Sequence, residues 1–371
     1  MQSTTIYIIG LIVATFIGIV GFSFFLSSNK EKKYSQEFQD SANDVLVEEM
    51  PDNRLEEKPS QSFSAGDYNY DSGSLDTLLL RENVKASIDL DDILSGGVGK
   101  DGIPSIQEPR LALVSAVPEW LNPSGDGLVV QRNGEARFYP YQVLVGHEIV
   151  NDTLAGEPLL VTYCPLCFTG VVYDPTIDGT VIDFGVSGKL WESNLLMYNR
   201  SNPESLWSQA LGEAVVGPAT GRKLPVVRFD ITTYEKFAST FPEGSVVVGD
   251  SEVDEGSLFA RSYARIPYGG DLRDIDPYFP FSGVDDRLEK TDIVLGLVHN
   301  NQAKAYLVSS LVEDREVTDV VGGDEITIFY NQDSGIVEFY VGSRANGERL
   351  NPIPSFWISW VSIHSDTAVR K

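Results

Sequence analysis

The pattern of apolar and polar positions changes character twice along the chain. From Ile6 to Leu26 the residues are apolar except for Thr15, Ser23 and small glycines, a run long enough to cross a bilayer as a helix. Residues 29–78 lose that character. They are rich in Ser, Asp, Glu and Asn with no sustained period, which predicts a disordered tether with a short amphipathic helix near residues 34–50. Further on, short apolar runs such as "GEARFY", "PLLVTY" and "GVVYD" predict β-strands. The aromatic spacing of "TTYEKFASTFPEG" and "PSFWISWVSIHSDT" predicts short helices that lay one face on a sheet and return to a strand.

Two strand-forming stretches can be superposed at a constant offset of 167 residues, one ending at Tyr163 and the other at Tyr330. Tyr139 then meets Tyr306, Leu144 meets Leu311, Asp152 meets Asp319 and Gly156 meets Gly323. Such coincidence without a gap favours duplication. The predicted fold class is α+β, predominantly antiparallel β, with two divergent copies of a β-rich unit preceded by a transmembrane helix. Antiparallel pairing is expected because the strands lie too close in sequence for repeated crossover helices. The expected organisation is a transmembrane anchor over residues 5–27 and a disordered polar tether over 28–78. A first β-rich unit with the Cys-Pro-Leu-Cys loop then covers 79–250, and a connection and second unit cover 251–371.

Charge narrows the partners. Acidic residues outnumber basic ones 54 to 28, giving a formal charge of -26, so a nucleic-acid backbone is not expected as a partner. The leading "MQSTTIY" has no basic residue, which favours an uncleaved anchor over a signal peptide. Lys30, Lys32 and Lys33 taken alone would hold that flank in the cytoplasm, but the acidic remainder favours an exterior position. The expectation is a single-pass protein of the cell membrane with an extracytoplasmic globular part, its partners being the lipid bilayer through the N-terminal helix and an envelope protein or glycan.

Cys164 and Cys167 are the only cysteines. Laid over its partner segment, their loop "CPLCFT" between Tyr163 and Gly170 reads as two residues longer than "NQDS" between Tyr330 and Gly335. Three chemistries fit a C-x-x-C pair. It can cycle as a redox dithiol, although it lies between strands and lacks the activation of a helix N-terminus. It can ligate a soft metal, zinc or copper, with His147 as third ligand or nearby base and Met197 as a thioether ligand. It can also form a structural disulfide in an oxidising compartment. These alternatives stay open. Downstream, Asp183, Ser187, Asn194, Arg200, Trp207, Ser208 and Gln209 are candidates to line a groove for a sugar or peptide. Ser187 lies outside a G-x-S-x-G elbow, and "GGVGKD" lacks the G-K-[ST] ending of a phosphate loop.

The strings "SGGVGKDGIP", "HEIVND", "YCPLC", "FGVSGKLWESNLLMYNR", "LWSQALGEAVVGP" and "FWISWVSIHSDT" resemble those of the bacterial and archaeal domain of unknown function 3179 family, over roughly residues 81–371. The resemblance implies no assigned activity, and it implies secreted or membrane-attached relatives. It draws attention to His147, Glu148, Asn151 and Asp152, to Cys164, Pro165 and Cys167, and to the Gly185–Gly212 stretch. Phe168 departs from the small residue common after the second cysteine, and Ser365 stands where relatives carry proline. Two functions are expected of such a chain. One is a membrane-anchored extracytoplasmic dithiol or soft-metal site. The other is a non-enzymatic envelope-associated glycan- or protein-binding module held by a disulfide.

Overall fold

The computed structural model describes residues 84–250, Tyr263, Phe281 and 285–371. The first strands are β1 (Leu94–Ser95), β2 (Pro109–Leu113) and the hairpin β3 (Asp126–Arg132) and β4 (Glu135–Pro140), followed by α1 (Tyr141–Leu144). A meander of β5 (Ile149–Leu154), β6 (Glu157–Cys164) and β7 (Thr169–Tyr173) comes next. The small hairpin β8 (Thr176–Ile177) and β9 (Thr180–Val181) leads to β10 (Phe184–Trp191), β11 (Asn194–Asn199), β12 (Leu206–Ser208) and β13 (Glu213–Val216). β14 (Asp230–Thr233), α2 (Tyr234–Thr240) and β15 (Ser245–Asp250) close this half.

Later come β16 (Ile293–His299), β17 (Gln302–Leu307) and α3 (Val308–Asp314). They are followed by β18 (Glu316–Val321), β19 (Asp324–Tyr330), β20 (Val337–Val341) and β21 (Glu348–Leu350). β22 (Ile353–Phe356), α4 (Trp357–Ile363) and β23 (Ala368–Arg370) end the chain. The sheets have the orders β1-β10-β11-β12-β13, β14-β3-β4-β15-β2, β22-β16-β17-β23, β18-β19-β20-β21 and β5-β6-β7, beside the β8-β9 hairpin. Two-residue turns with both residues at positive φ, such as Asn133 (48°) and Gly134 (87°), twist their hairpins in the sense that strands prefer.

The short helices form where the aromatic spacing places them. α2 buries Tyr234 and Phe237 against Val129, Phe138 and Val246, and α4 buries Trp357 and Trp360 against Val294 and Ala305. A fully buried Phe237 contributes about 1.5–3 kcal/mol. At Gly296 an added Cβ would come within 2.2 Å of the Trp360 ring, so only glycine admits that helix so close to β16. Pairing is mainly antiparallel, with two departures from the expected pattern. β15 runs parallel to β4, and β23 runs parallel to β17. α2 and α4 are therefore crossovers, compact enough at seven residues each to fit between strands close in sequence.

The expected pair of β-rich units preceded by a membrane helix is corrected. Every described strand lies in one compact unit spanning both stretches, and its sheets are unequal, with five, five, four, four and three strands. The physical reason is that the two stretches bury surface against each other: the Phe356 amide on β22 donates to the Cys167 carbonyl at 2.8 Å. The extra loop length assigned to the cysteines is corrected as well. Tyr163 pairs with Gly170 and Tyr330 pairs with Val337, so six residues separate each pair. Gly335 lies inside its turn and is not the ladder partner of Tyr330.

The single-pass membrane reading, with its bilayer partner and extracytoplasmic placement, is also corrected. Among the described residues no helix is long and apolar enough to cross a membrane. The proposed anchor at 5–27, the tether at 28–78 with its amphipathic segment, and most of the connection at 251–284 lie outside the described residues.

Candidate functional site

β6 brings Cys164 to the end of a ladder in which it pairs with Thr169. The amide of Cys167 then donates back to the Cys164 carbonyl at 3.2 Å, closing a tight turn. Both cysteines are buried free thiols with their sulfurs 2.9 Å apart. A disulfide bond is about 2.05 Å long, so the expected structural disulfide is corrected to a thiol pair. The Cys167 thiol donates to the Ser193 carbonyl at 3.1 Å, and the Asn194 amide approaches Cys167 Sγ at 3.5 Å. Burial first, and then the adjoining Cys167 and Glu148, push the Cys164 thiol well above its usual range. That is the opposite of an activated thiolate.

Polar side chains floor this turn. Asn194 Nδ2 donates to Gln209 Oε1 at 2.9 Å, and Gln209 Nε2 donates to Thr162 Oγ1 at 2.9 Å and the Thr169 carbonyl at 3.0 Å. All four residues are buried, so each bond replaces solvation that the group has lost. Of the residues expected to line a groove, Asn194 and Gln209 reach the turn that carries the thiols. Ser187 instead donates to the Leu196 carbonyl, Trp207 donates to Asn199 Oδ1 at 2.9 Å, and Ser208 accepts the Leu211 amide. Trp207 is completely buried and offers no floor to a sugar. Asp183 is exposed, and Arg200 forms an ion pair with Asp101 at 2.6 Å.

His147 is fully buried with both ring nitrogens engaged. Nδ1 lies 2.7 Å from the Pro104 carbonyl and therefore carries the proton, leaving Nε2 to accept from the Tyr263 hydroxyl. Burial lowers its pKa, partly offset by Pro104 and Asp250. Met197 is buried on β11, in register with Val186 and Trp207. Among the described residues no group of three or more His, Cys, Asp or Glu side chains is placed to hold a metal ion. This arrangement gives no support to the soft-metal function, zinc or copper, expected of the cysteine pair.

Sequence reasoning gave no chemical role to Glu148 or Phe168, and both adopt positive φ, 59° and 54°. Neither is a residue type that announces this conformation, which costs free energy for bulky side chains and collects at functional sites. Glu148 connects α1 to β5, and burial raises its carboxyl to about 8. Phe168 stacks on Phe356 at 5.4 Å and meets Tyr141 edge-on at 5.4 Å. The Tyr141 hydroxyl is buried with no hydrogen-bond partner among the described residues.

Phe168 also forms part of the wall of a cavity of about 170 Å³. Phe229, Ile231, Leu295, Val337 and Leu350 supply apolar surface, and Asp126, Asp230, Lys236 and Arg349 supply charge. Arg349 is paired with Asp230 at 2.5 Å and lies 3.5 Å from Glu338. The thiol turn and the cavity thus share one aromatic wall.

No curated protein and no solved structure matches the chain. A family model described as "Protein of unknown function (DUF3179)" matches residues 100–346, which include the thiol turn and all but a few of the cavity residues. With roughly two thirds of its length matched, the chain belongs to the DUF3179 family.

Proposed function

We propose that this protein binds a small, largely apolar molecule in the cavity walled by Phe168, with the thiol turn acting as the rigid support of that wall. The observation that carries this reading is the cavity itself, about 170 Å³ lined by apolar side chains with a few charged groups among them. An engineered apolar cavity of about 150 Å³ accepts benzene, so the ring of a monocyclic ligand fits in this one. Phe168 is held by stacking on Phe356, and the Cys167 carbonyl is held by the Phe356 amide. Both contacts fix the wall before a ligand arrives, which lowers the ordering cost of binding.

The test is ligand-observed NMR on the full chain with benzyl alcohol and cyclohexanol, repeated with Val308→Trp, whose indole would occupy the cavity. Saturation transfer to the wild type and its loss in Val308→Trp are expected. Absence of transfer to the wild type, or equal transfer to both proteins, would overturn the reading.

A further inference from the structure

The charges around the cavity are not equally satisfied. Arg349 is neutralised by Asp230 and Glu338, and Asp126 is exposed to solvent at the rim. Lys236 is half-buried, and its ammonium lies 5.9 Å from the Tyr330 ring centre, a distant contact. Asp126 senses that charge through space, but no carboxylate among the described residues closes to an ion pair with it.

Two further features converge on the same part of the wall. Gly335 leaves room for the lysine: an added Cβ there would sit 2.8 Å from Nζ and 2.7 Å from Cδ, at a backbone φ of 69°. Any larger residue would displace the ammonium from its place beside the cavity. Thr233, three residues before Lys236 and also lining the cavity, has a buried hydroxyl with no hydrogen-bond partner among the described residues. A buried donor without an acceptor is costly, and the half-buried Lys236 charge is met by Asp126 only through space, short of a closed ion pair. Thr232 does not compete for the same role, because its hydroxyl already donates to the Ser334 carbonyl.

We infer that the molecule bound in this cavity carries a carboxylate, which pairs with Lys236 and accepts a hydrogen bond from the Thr233 hydroxyl while its apolar body lies against Phe168 and Leu295. This inference rests on the cavity being a binding site and specifies the chemical class of its ligand. An ammonium ligand is disfavoured, because Asp230 is occupied by Arg349 and the Lys236 charge repels a second cation beside Asp126.

Isothermal titration of the full chain with phenylacetate, phenylacetamide and phenethylamine separates the two claims. Phenylacetate is expected to bind at least about tenfold more tightly than the neutral amide, with phenethylamine weakest. Lys236→Gln is expected to weaken phenylacetate about tenfold and leave phenylacetamide unchanged, and Thr233→Val to weaken phenylacetate about threefold. If the amide binds as tightly as the acid, or Lys236→Gln weakens both equally, the carboxylate inference fails while the cavity reading stands. If none of the three binds the wild type, both fail.

Discussion

The turn from Tyr163 to Gly170 and the turn from Tyr330 to Val337 have equal length and similar entry. Before each, a residue at positive φ, Glu148 or Arg315, offers its carbonyl to the tyrosine amide, at 2.8 Å and 2.7 Å. Beyond the tyrosine the two turns diverge. The second is closed by Asn331, whose Oδ1 accepts the amides of Asp333 and Ser334, and its tip at Gln332 and Asp333 is exposed. The first is covered by β22 and by the Glu192–Ser193 turn, and its thiols point to the Ser193 carbonyl. The contrast shows that the candidate site comes from the covering elements, since turn length and backbone entry are shared. A turn that satisfies itself can face water, whereas a buried one needs partners supplied from elsewhere in the chain.

The sharpest way to break this comparison is Gln209→Leu. It removes three buried hydrogen bonds beneath the first turn and has no equivalent at the second. Several orphaned buried groups cost about 3–5 kcal/mol together, read as a lowered urea midpoint. A stability within about 0.5 kcal/mol of wild type, the effect of a surface substitution, would show that the polar floor is dispensable.

Next in size is the pH response of Glu148. Its folded pKa of about 8 stands above the ordinary glutamate value, so the folded state holds more protons than the unfolded state between the two. The carboxyl's contribution to stability therefore falls as pH rises from about 4.5 to about 8, by about 5 kcal/mol in all and about 2 kcal/mol above pH 6.5, and levels off beyond. The lowered pKa values of His147 and of His364, the latter brought to about 4 by burial, act with the opposite sign, as pH falls below about 6.5. Urea unfolding at pH 6.5 and pH 8.5 thus reads mainly the carboxyl, with a smaller contribution of the same sign from the raised Cys164 thiol, and Glu148→Gln should remove most of the slope. A slope that persists in Glu148→Gln assigns the titration to another group.

Smaller effects are expected at the turn tips. Cys167→Ala deletes the thiol's contacts with the Ser193 carbonyl, the Asn194 amide and Cys164 and opens a small void, at a cost of about 1–3 kcal/mol. The raised Cys164 pKa predicts slow alkylation by iodoacetamide in the native protein and fast alkylation in urea. Asn331→Ala, which removes the exposed self-closure of the second turn, should cost about 0.5–1 kcal/mol. Equal costs for Cys167→Ala and Asn331→Ala would erase the distinction between the two turns.

Much of the local structure was legible in the chain. The strand around Tyr163, the helices beginning at Tyr234 and Trp357, and the special position of Cys164 and Cys167 all follow from period and residue type. Several features were not legible. The register of Tyr330 against Val337 depends on hydrogen bonding across the ladder, and sequence superposition placed Gly335 there instead. Trp207 and Ser187 carry groove-like chemistry, yet neighbouring strands bury both. Glu148 and Phe168 owe their roles to a backbone conformation that their types do not encode, and Lys236 is set apart from other lysines only because Gly335 and Thr233 lie beside it.

Periodicity, aromatic spacing and the cysteine pair by themselves determined a β-rich α+β chain with short packed helices and one chemically distinct turn. Those signals are local, acting over a few residues of strand or helix. Only the tertiary structure decided that the thiols are unbonded and covered, that two of the crossovers make parallel pairs, and that Phe168 joins the turn to a charged cavity. These depend on residues far apart in the chain meeting in space, where desolvation and hydrogen-bond partnership are set by neighbours that no local pattern records.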